Sequence, residues 1–204
     1  MVIRVSLGLA DRVLMSVVRL ALSLLLLGAS NPVYAASINT TPLTSTQKNI
    51  ETLGTGVAIA LPLTAAGLTL YKDDVMGTAQ LTVETILTVG TAYALKNIVH
   101  EERPNGSDNQ SFPSGTSALA SSGSAFLWGR YGWEYGLPAF ALSQFVSYSR
   151  VQAREHHWYD TLSSSAMAAG YSYILTTPFK KRFGVDTSLS ASPHSAFLSF
   201  AYRF

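Results

Sequence analysis

Within the twelve residues from Ser149 to Asp160 the chain places Arg150, Arg154, His156, His157 and Asp160. An imidazole can act as nucleophile or proton carrier near neutral pH, and a carboxylate four positions on can reach it across one helical turn. A guanidinium adds a planar fork of donors that suits an anion such as phosphate. If the segment after Glu155 is helical, His156 and Asp160 share one face, so the acid can hold the imidazole tautomer. A bend would bring Arg150, six residues before His156, to the same point. The stretch reads as an anion site with a nucleophile.

Two other clusters fit the same chemistry. Lys96 and Arg103 supply fixed positive charge on either side of six residues, and Pro104 follows. Pro113-Ser114-Gly115 opens a helix, where free N–H groups and the helix dipole favour an anion and glycine admits close backbone approach.

The elements that must position these residues follow from hydrophobic runs and breakers. Helical pattern begins after Ser45 or Thr46 as N-cap, and Leu53 to Tyr71 carries no charge. Those nineteen residues are long enough to cross a bilayer, yet Pro62, three glycines and three threonines moderate their hydrophobicity, so a buried bundle helix and a membrane span both stay open. A second helix spans Val75 to about Val99, with Glu84 its lone interior acid, and ends in the charged cluster Lys96 to Arg103. Residues 104–113 form a loop. Helices then run from Ser114 to Trp128, from about Glu134 to Tyr148 and from Asp160 to Thr177, with Gly129-Arg130-Tyr131-Gly132 as a turn. In the tail, Phe183–Ser190 and Ala196–Phe204 read as two strands around Ser192-Pro193-His194. The expected fold is all-α, a bundle of about five or six helices with a short C-terminal β-hairpin over 183–204.

Of the 204 residues, 48% are hydrophobic and 13% charged, low against the roughly 25% usual in soluble proteins. This implies a large core or contact with lipid. Residues 1–35 carry three arginines, one aspartate, the apolar run Leu20–Leu27 and a small-residue site ending at Ala35. They read as a signal peptide, with a retained anchor helix as the alternative. Without them eleven basic and eleven acidic residues remain in 36–204, which argues against nucleic acid as a partner. The absence of cysteine excludes disulfides and thiolate metal sites.

Taken together, Lys-x6-Arg-Pro, Pro-Ser-Gly and Ser-Arg-x5-His-x3-Asp resemble the type 2 phosphatidic acid phosphatase family, which includes bacterial acid phosphatases and vanadium haloperoxidases. The resemblance covers roughly Leu53 to Thr177. It implies that His156 forms a phosphohistidine and Asp160 stabilises the imidazolium. It also implies that Lys96, Arg103, Ser114, Gly115 and Arg150 bind the phosphate, and that no metal or cofactor takes part. The departure is Thr116, where the family pattern has a histidine that resembles a general acid. A threonine hydroxyl cannot supply the roughly 10²- to 10⁴-fold of general acid catalysis. Three explanations stay open: His100 or His157 substitutes, the leaving group is itself a phosphate, or the chain binds phosphate without hydrolysing it. The expected function is a phosphoric-ester or diphosphate hydrolase, with a degenerate phosphate-binding protein as the alternative. Its expected substrate is a phosphorylated lipid or small phosphate ester. Its expected place is exported, periplasmic or periplasm-facing at the inner membrane, in contact with that membrane.

Overall fold

Five helices follow one another through short links: α1 (Ser45–Tyr71), α2 (Val75–Val99), α3 (Gly115–Tyr131), α4 (Trp133–Gln152) and α5 (Trp158–Leu175). The computed structural model describes residues 38–179 and, as backbone only, 185–192 and 195–202. The leader expected over residues 1–35 and His194 lie outside the described residues. The described body is all-α, as expected.

The helix ends follow from local chemistry. α1 is capped by Thr44, one or two residues before the expected Ser45 or Thr46. The Thr44 hydroxyl accepts from Gln47 N at 3.2 Å while Gln47 Oε1 accepts from Thr44 N at 3.0 Å, a reciprocal capping box. Asp74 caps α2 by accepting from Gly77 N at 2.9 Å, and α2 stops where His100 turns left-handed with φ 51°. α3 runs three residues past the expected Trp128, because Arg130 and Tyr131 both reach back to Asp74. Only Gly132, with φ 88°, makes the turn that was expected over four residues. α4 runs past Tyr148 to Gln152, so Ser149 and Arg150 are helical and face α1. A Cβ on Gly54 of α1 would collide with Ser149 Oγ, so glycine admits this contact.

Pro62 does not interrupt α1. α3 approaches there so closely that a Cβ on Gly123 would lie 2.7 Å from the Pro62 nitrogen. α3 packs on all four other helices and is buried almost all round. Its serines pair across the interfaces, Ser124 with Ser143 at 3.2 Å and Ser121 with Ser165 at 3.0 Å. Ala58, Leu61, Ala65, Leu81, Phe126 and Val146 form the apolar core beside it.

Because successive helices reverse direction, the 100–114 loop, the 153–157 link and the start of α1 gather at one end of the bundle. The opposite end is closed by Asp74, Arg130, Tyr131 and Thr177. Between the ends the outward surface is apolar: Leu53, Ile59, Leu63, Val83, Ile86, Leu137, Phe140, Leu162 and Ile174 are all exposed.

Candidate functional site

The end of the bundle that holds the 100–114 loop collects the residues singled out from the sequence. His156 is buried in the 153–157 link, and α5 begins only at Trp158. The expected shared helical face of His156 and Asp160 is therefore not the arrangement that joins them. His156 Nδ1 lies 2.7 Å from the Ser111 carbonyl oxygen and 3.6 Å from Asp160 Oδ2. A carbonyl only accepts, so Nδ1 carries the proton and Nε2 keeps its lone pair. The tautomer is thus set mainly by a backbone group, with the carboxylate as the more distant acceptor.

Asp160 is fully buried. Its Oδ2 accepts from Ser111 Oγ at 2.6 Å and from His157 N at 2.8 Å, which ties the 100–114 loop to the start of α5. Its Oδ1 has no protein partner among the described residues. Burial pushes the His156 imidazole below its ordinary 6.5; Asp160 opposes this, while Lys96 and Arg103 add to it. His156 is therefore held neutral.

His157 stands in the opposite environment. Its Nδ1 lies 3.6 Å from Asp160 Oδ2 and 3.7 Å from Glu101 Oε1. The Asp160 carboxylate holds it above 6.5 against the cost of burial, and the Glu101 charge adds to the rise. Its ring stacks on Tyr159 at 5.0 Å between centroids, and the Tyr159 hydroxyl donates to Glu101. Burial raises Glu101 as well. Glu101, His157 and Asp160 offer donor atoms within 4.8 Å of one another, a set that could hold a cation. In the described arrangement Lys96 already supplies positive charge beside Asp160.

The three cations converge on this end but are differently engaged. Buried Lys96 donates to the carbonyls of Gln110 at 2.5 Å and Ser111 at 3.4 Å, so its ammonium flanks the carbonyl that holds His156. Arg103 Nε pairs with Asp108 Oδ1 at 2.7 Å. Arg150 Nη2 reaches the Glu51 carbonyl at 2.6 Å and Thr55 Oγ1 at 3.0 Å, and Nε reaches Ser149 Oγ at 3.2 Å. Both guanidiniums meet one carboxylate: Glu155 Oε2 is 3.2 Å from Arg150 Nη1 and 3.8 Å from Arg103 Nη1.

Ser114 is the N-cap of α3, accepting from Ser117 N at 3.3 Å; its own N–H donates to the Asp160 carbonyl, also at 3.3 Å. Gly115 begins the helix. A Cβ there would meet Lys96 Cε and Tyr93 at an ordinary 3.9 Å, so protein packing does not demand glycine. Thr116 follows, half-buried. His100 is exposed at the end of α2, with Nδ1 3.2 Å from the Ile98 carbonyl oxygen.

Sequence reasoning did not find Ser111, whose carbonyl and hydroxyl hold His156 and Asp160, nor the bridging role of Glu155. Ser111 gives no signal of its own in a polar loop. Glu155 does: it is an acid set between two basic positions and the nucleophile-like histidine.

No family model matches the sequence. The lipid A 4'-phosphatase of Helicobacter pylori strain J99 is 31% identical over 133 residues, which span 60% of this chain and 67% of that protein. A solved structure, the transmembrane PAP2-type phosphatidylglycerolphosphate phosphatase of Bacillus subtilis, is 20% identical, with a TM-score of 0.44 over 78% of this chain and 93% of that one. With 31% identity across two thirds of a lipid phosphatase, and with all three motifs present, the chain belongs to the type 2 phosphatidic acid phosphatase (PAP2) family.

Proposed function

We propose that the protein is a membrane-embedded phosphatase that removes phosphate from lipid-linked phosphomonoesters or diphosphates through a phosphohistidine at His156. The observation that carries this is the buried His156, with Nδ1 engaged by the Ser111 carbonyl, Nε2 left as the nucleophilic atom, and Lys96, Arg103 and Arg150 around it. Similarity to the lipid A 4'-phosphatase of Helicobacter pylori supports a phosphorylated lipid as the substrate class.

In the proposed sequence Nε2 attacks phosphorus in line, the P–N bond forms and the bond to the leaving oxygen breaks. Lys96, Arg103, Arg150 and the α3 N-terminus carry the charge on the equatorial oxygens. Asp160, 3.6 Å from His156 Nδ1, stabilises the imidazolium that results. His157 gives its proton to the departing oxygen, taking the role that Thr116 cannot fill. Water then attacks phosphorus, neutral His157 accepts the water's proton and the P–N bond breaks. His157 is better placed for this than His100, because two carboxylates reward its protonated form.

This assignment fixes the pH dependence. His156 must be neutral and its value is lowered, so the acid limb of kcat/KM falls below 6.5; His157 must be protonated and its value is raised, so the alkaline limb falls above 6.5. The test is phosphate release from a lipid phosphomonoester in mixed micelles across pH. His157→Gln is expected to lower turnover by roughly 10²-fold and remove the alkaline limb, and Thr116→His in that background to recover at least about tenfold. Unchanged turnover and an unchanged alkaline limb in His157→Gln would remove His157 from the mechanism. A protein that binds phosphate but turns over neither monoester nor diphosphate would be the degenerate alternative.

Embedding in a bilayer is supported by the surface. α1 is long and apolar enough to cross a membrane, with mean hydropathy 1.7 and most of that stretch unburied. The outward faces of α2, α4 and α5 between the bundle ends are also apolar. The helices span from about 25 Å for α3 to about 40 Å for α1, against a hydrocarbon core of roughly 30 Å. The protein is expected to stay in the membrane pellet after an alkaline carbonate wash and to need detergent for release; recovery in the wash would overturn the embedding. The leader-like residues 1–35 support export, with the site end facing the periplasm and 36–204 forming one phosphatase domain. The C-terminal hairpin expected over 183–204 belongs to the same proposal.

A further inference from the structure

Arg150 has few ways left to hold an anion. Its Nη2 is tied to the Glu51 carbonyl and Thr55, and its Nε to Ser149, so Nη1 is the edge that faces the site. One of the two Nη1 N–H groups is taken by Glu155 Oε2 at 3.2 Å, and the same oxygen lies 3.8 Å from Arg103 Nη1. An oxygen of a phosphate seated between the two arginines would need the same place. The site is also balanced in charge: Lys96, Arg103, Arg150 and protonated His157 stand against Glu101, Asp108, Glu155 and Asp160. A dianion entering this group meets no net excess of positive charge unless one carboxylate leaves.

Glu155 is the carboxylate able to leave. Its backbone is pinned at both polar atoms, N–H to the Arg150 carbonyl at 3.2 Å and carbonyl to Arg103 Nη1 at 3.4 Å. Its side chain is 31% exposed, so a rotation about its own bonds carries the carboxylate toward solvent without moving the link. Asp160 is buried and held by Ser111 and the His157 amide, and Asp108 accepts from both Arg103 and Gln110 N.

We propose that the Glu155 carboxylate is a built-in occupant of the phosphate seat, holding Arg103 and Arg150 at the spacing an anion needs and swinging out when a phosphate dianion binds. The inference rests on the reading of these arginines as the phosphate clamp. It makes Glu155 a positioning residue that weakens the site for its product: when inorganic phosphate is freed, the carboxylate competes for the same donors and speeds release. The arginines are prearranged by Glu155, so little ordering is left for binding.

The test uses the detergent-solubilised full chain and inorganic phosphate as probe, with binding followed by calorimetry and by product inhibition of hydrolysis. Glu155→Gln keeps the side chain's size and removes its charge. It is expected to tighten phosphate about tenfold, with a matching fall in KM, while Glu155→Asp, whose shorter carboxylate reaches the arginines less well, falls between it and the wild type. A residue that merely braced the link would show the opposite sign, since its loss would loosen the arginines and weaken phosphate. Unchanged or weaker phosphate binding in folded Glu155→Gln, or in Glu155→Asp if the first variant fails to fold, overturns the proposal. Tighter phosphate binding without turnover in any variant would uphold the seat and overturn the hydrolase reading. No phosphate binding by either variant or the wild type would overturn both.

Discussion

Replacing His156 by alanine is expected to reduce phosphate release from a lipid phosphomonoester by on the order of 10³-fold or more, with no change in the amount of folded protein. In the proposed mechanism His156 is the covalent nucleophile, and its loss removes the step that every other group in the site serves, so the variant should fall nearly to the level left by binding alone. The fold should survive, because the Ser111 carbonyl that His156 engages also lies 3.4 Å from the Lys96 ammonium, and Asp160 still joins Ser111 to the His157 amide. The measurement pairs initial rates with a thermal melt, and adds a rapid quench that traps a phosphoryl group on the wild-type protein and none on the variant. A variant that retains more than about a tenth of wild-type turnover would show that His156 is not the nucleophile.

The second large effect lies at the far end of the bundle. Arg130→Met is expected to destabilise the protein by about 3–5 kcal/mol, because it strands a buried carboxylate. Arg130 Nε and Nη2 donate to the two oxygens of Asp74 at 2.7 and 2.5 Å, and Nη1 donates to the Thr177 carbonyl, also at 2.5 Å. Asp74 is 5% exposed and Arg130 7%. The Tyr131 hydroxyl and Gly77 N add two more bonds to the same carboxylate. This network joins the start of α2, the end of α3 and the residues after α5, so its loss is felt by three elements at once. Burial alone would raise Asp74, but the hydrogen bonds from Arg130, Gly77 and Tyr131 outweigh it and hold the carboxyl below 3.8. Its stabilising contribution is therefore present above about pH 3.8 and is lost as pH falls through the depressed value. For a chain of this length a loss of that size lowers Tm by roughly 10 °C. The double variant Asp74→Asn/Arg130→Met should recover part of the loss, since removing both charges leaves no ion unpaired. A melting temperature unchanged in Arg130→Met would show that the pair is not part of the bundle's stability.

Much of the fold was legible because helix signals are local. Asp74 before Val75 and the charged cluster after Leu95 bound α2 at the residues the structure assigns. The errors fall where a distant partner rewarded more helix than the local pattern suggested. α3 continues through Arg130 and Tyr131 because both reach Asp74, 56 and 57 residues away. α4 continues through Ser149 and Arg150 because Gly54 and Thr55 of α1 receive them. The five helices and their order needed only hydrophobic runs, breakers and caps.

For the site, the sequence alone determined which functional groups are present: two imidazoles, three cations, an acid four residues after the first imidazole, and a threonine where a proton donor was expected. Those are properties of side-chain identity and of spacing within one segment. Which atoms pair was decided only by the tertiary structure. The Ser111 carbonyl that fixes the His156 tautomer is 45 residues away and looks like any other carbonyl in the chain. The Glu155 carboxylate that fills the gap between Arg103 and Arg150 does so only because the 100–114 loop and the end of α4 are packed side by side. Hydrogen bonds depend on tenths of an ångström between groups distant in sequence, and packing the chain is what sets those distances.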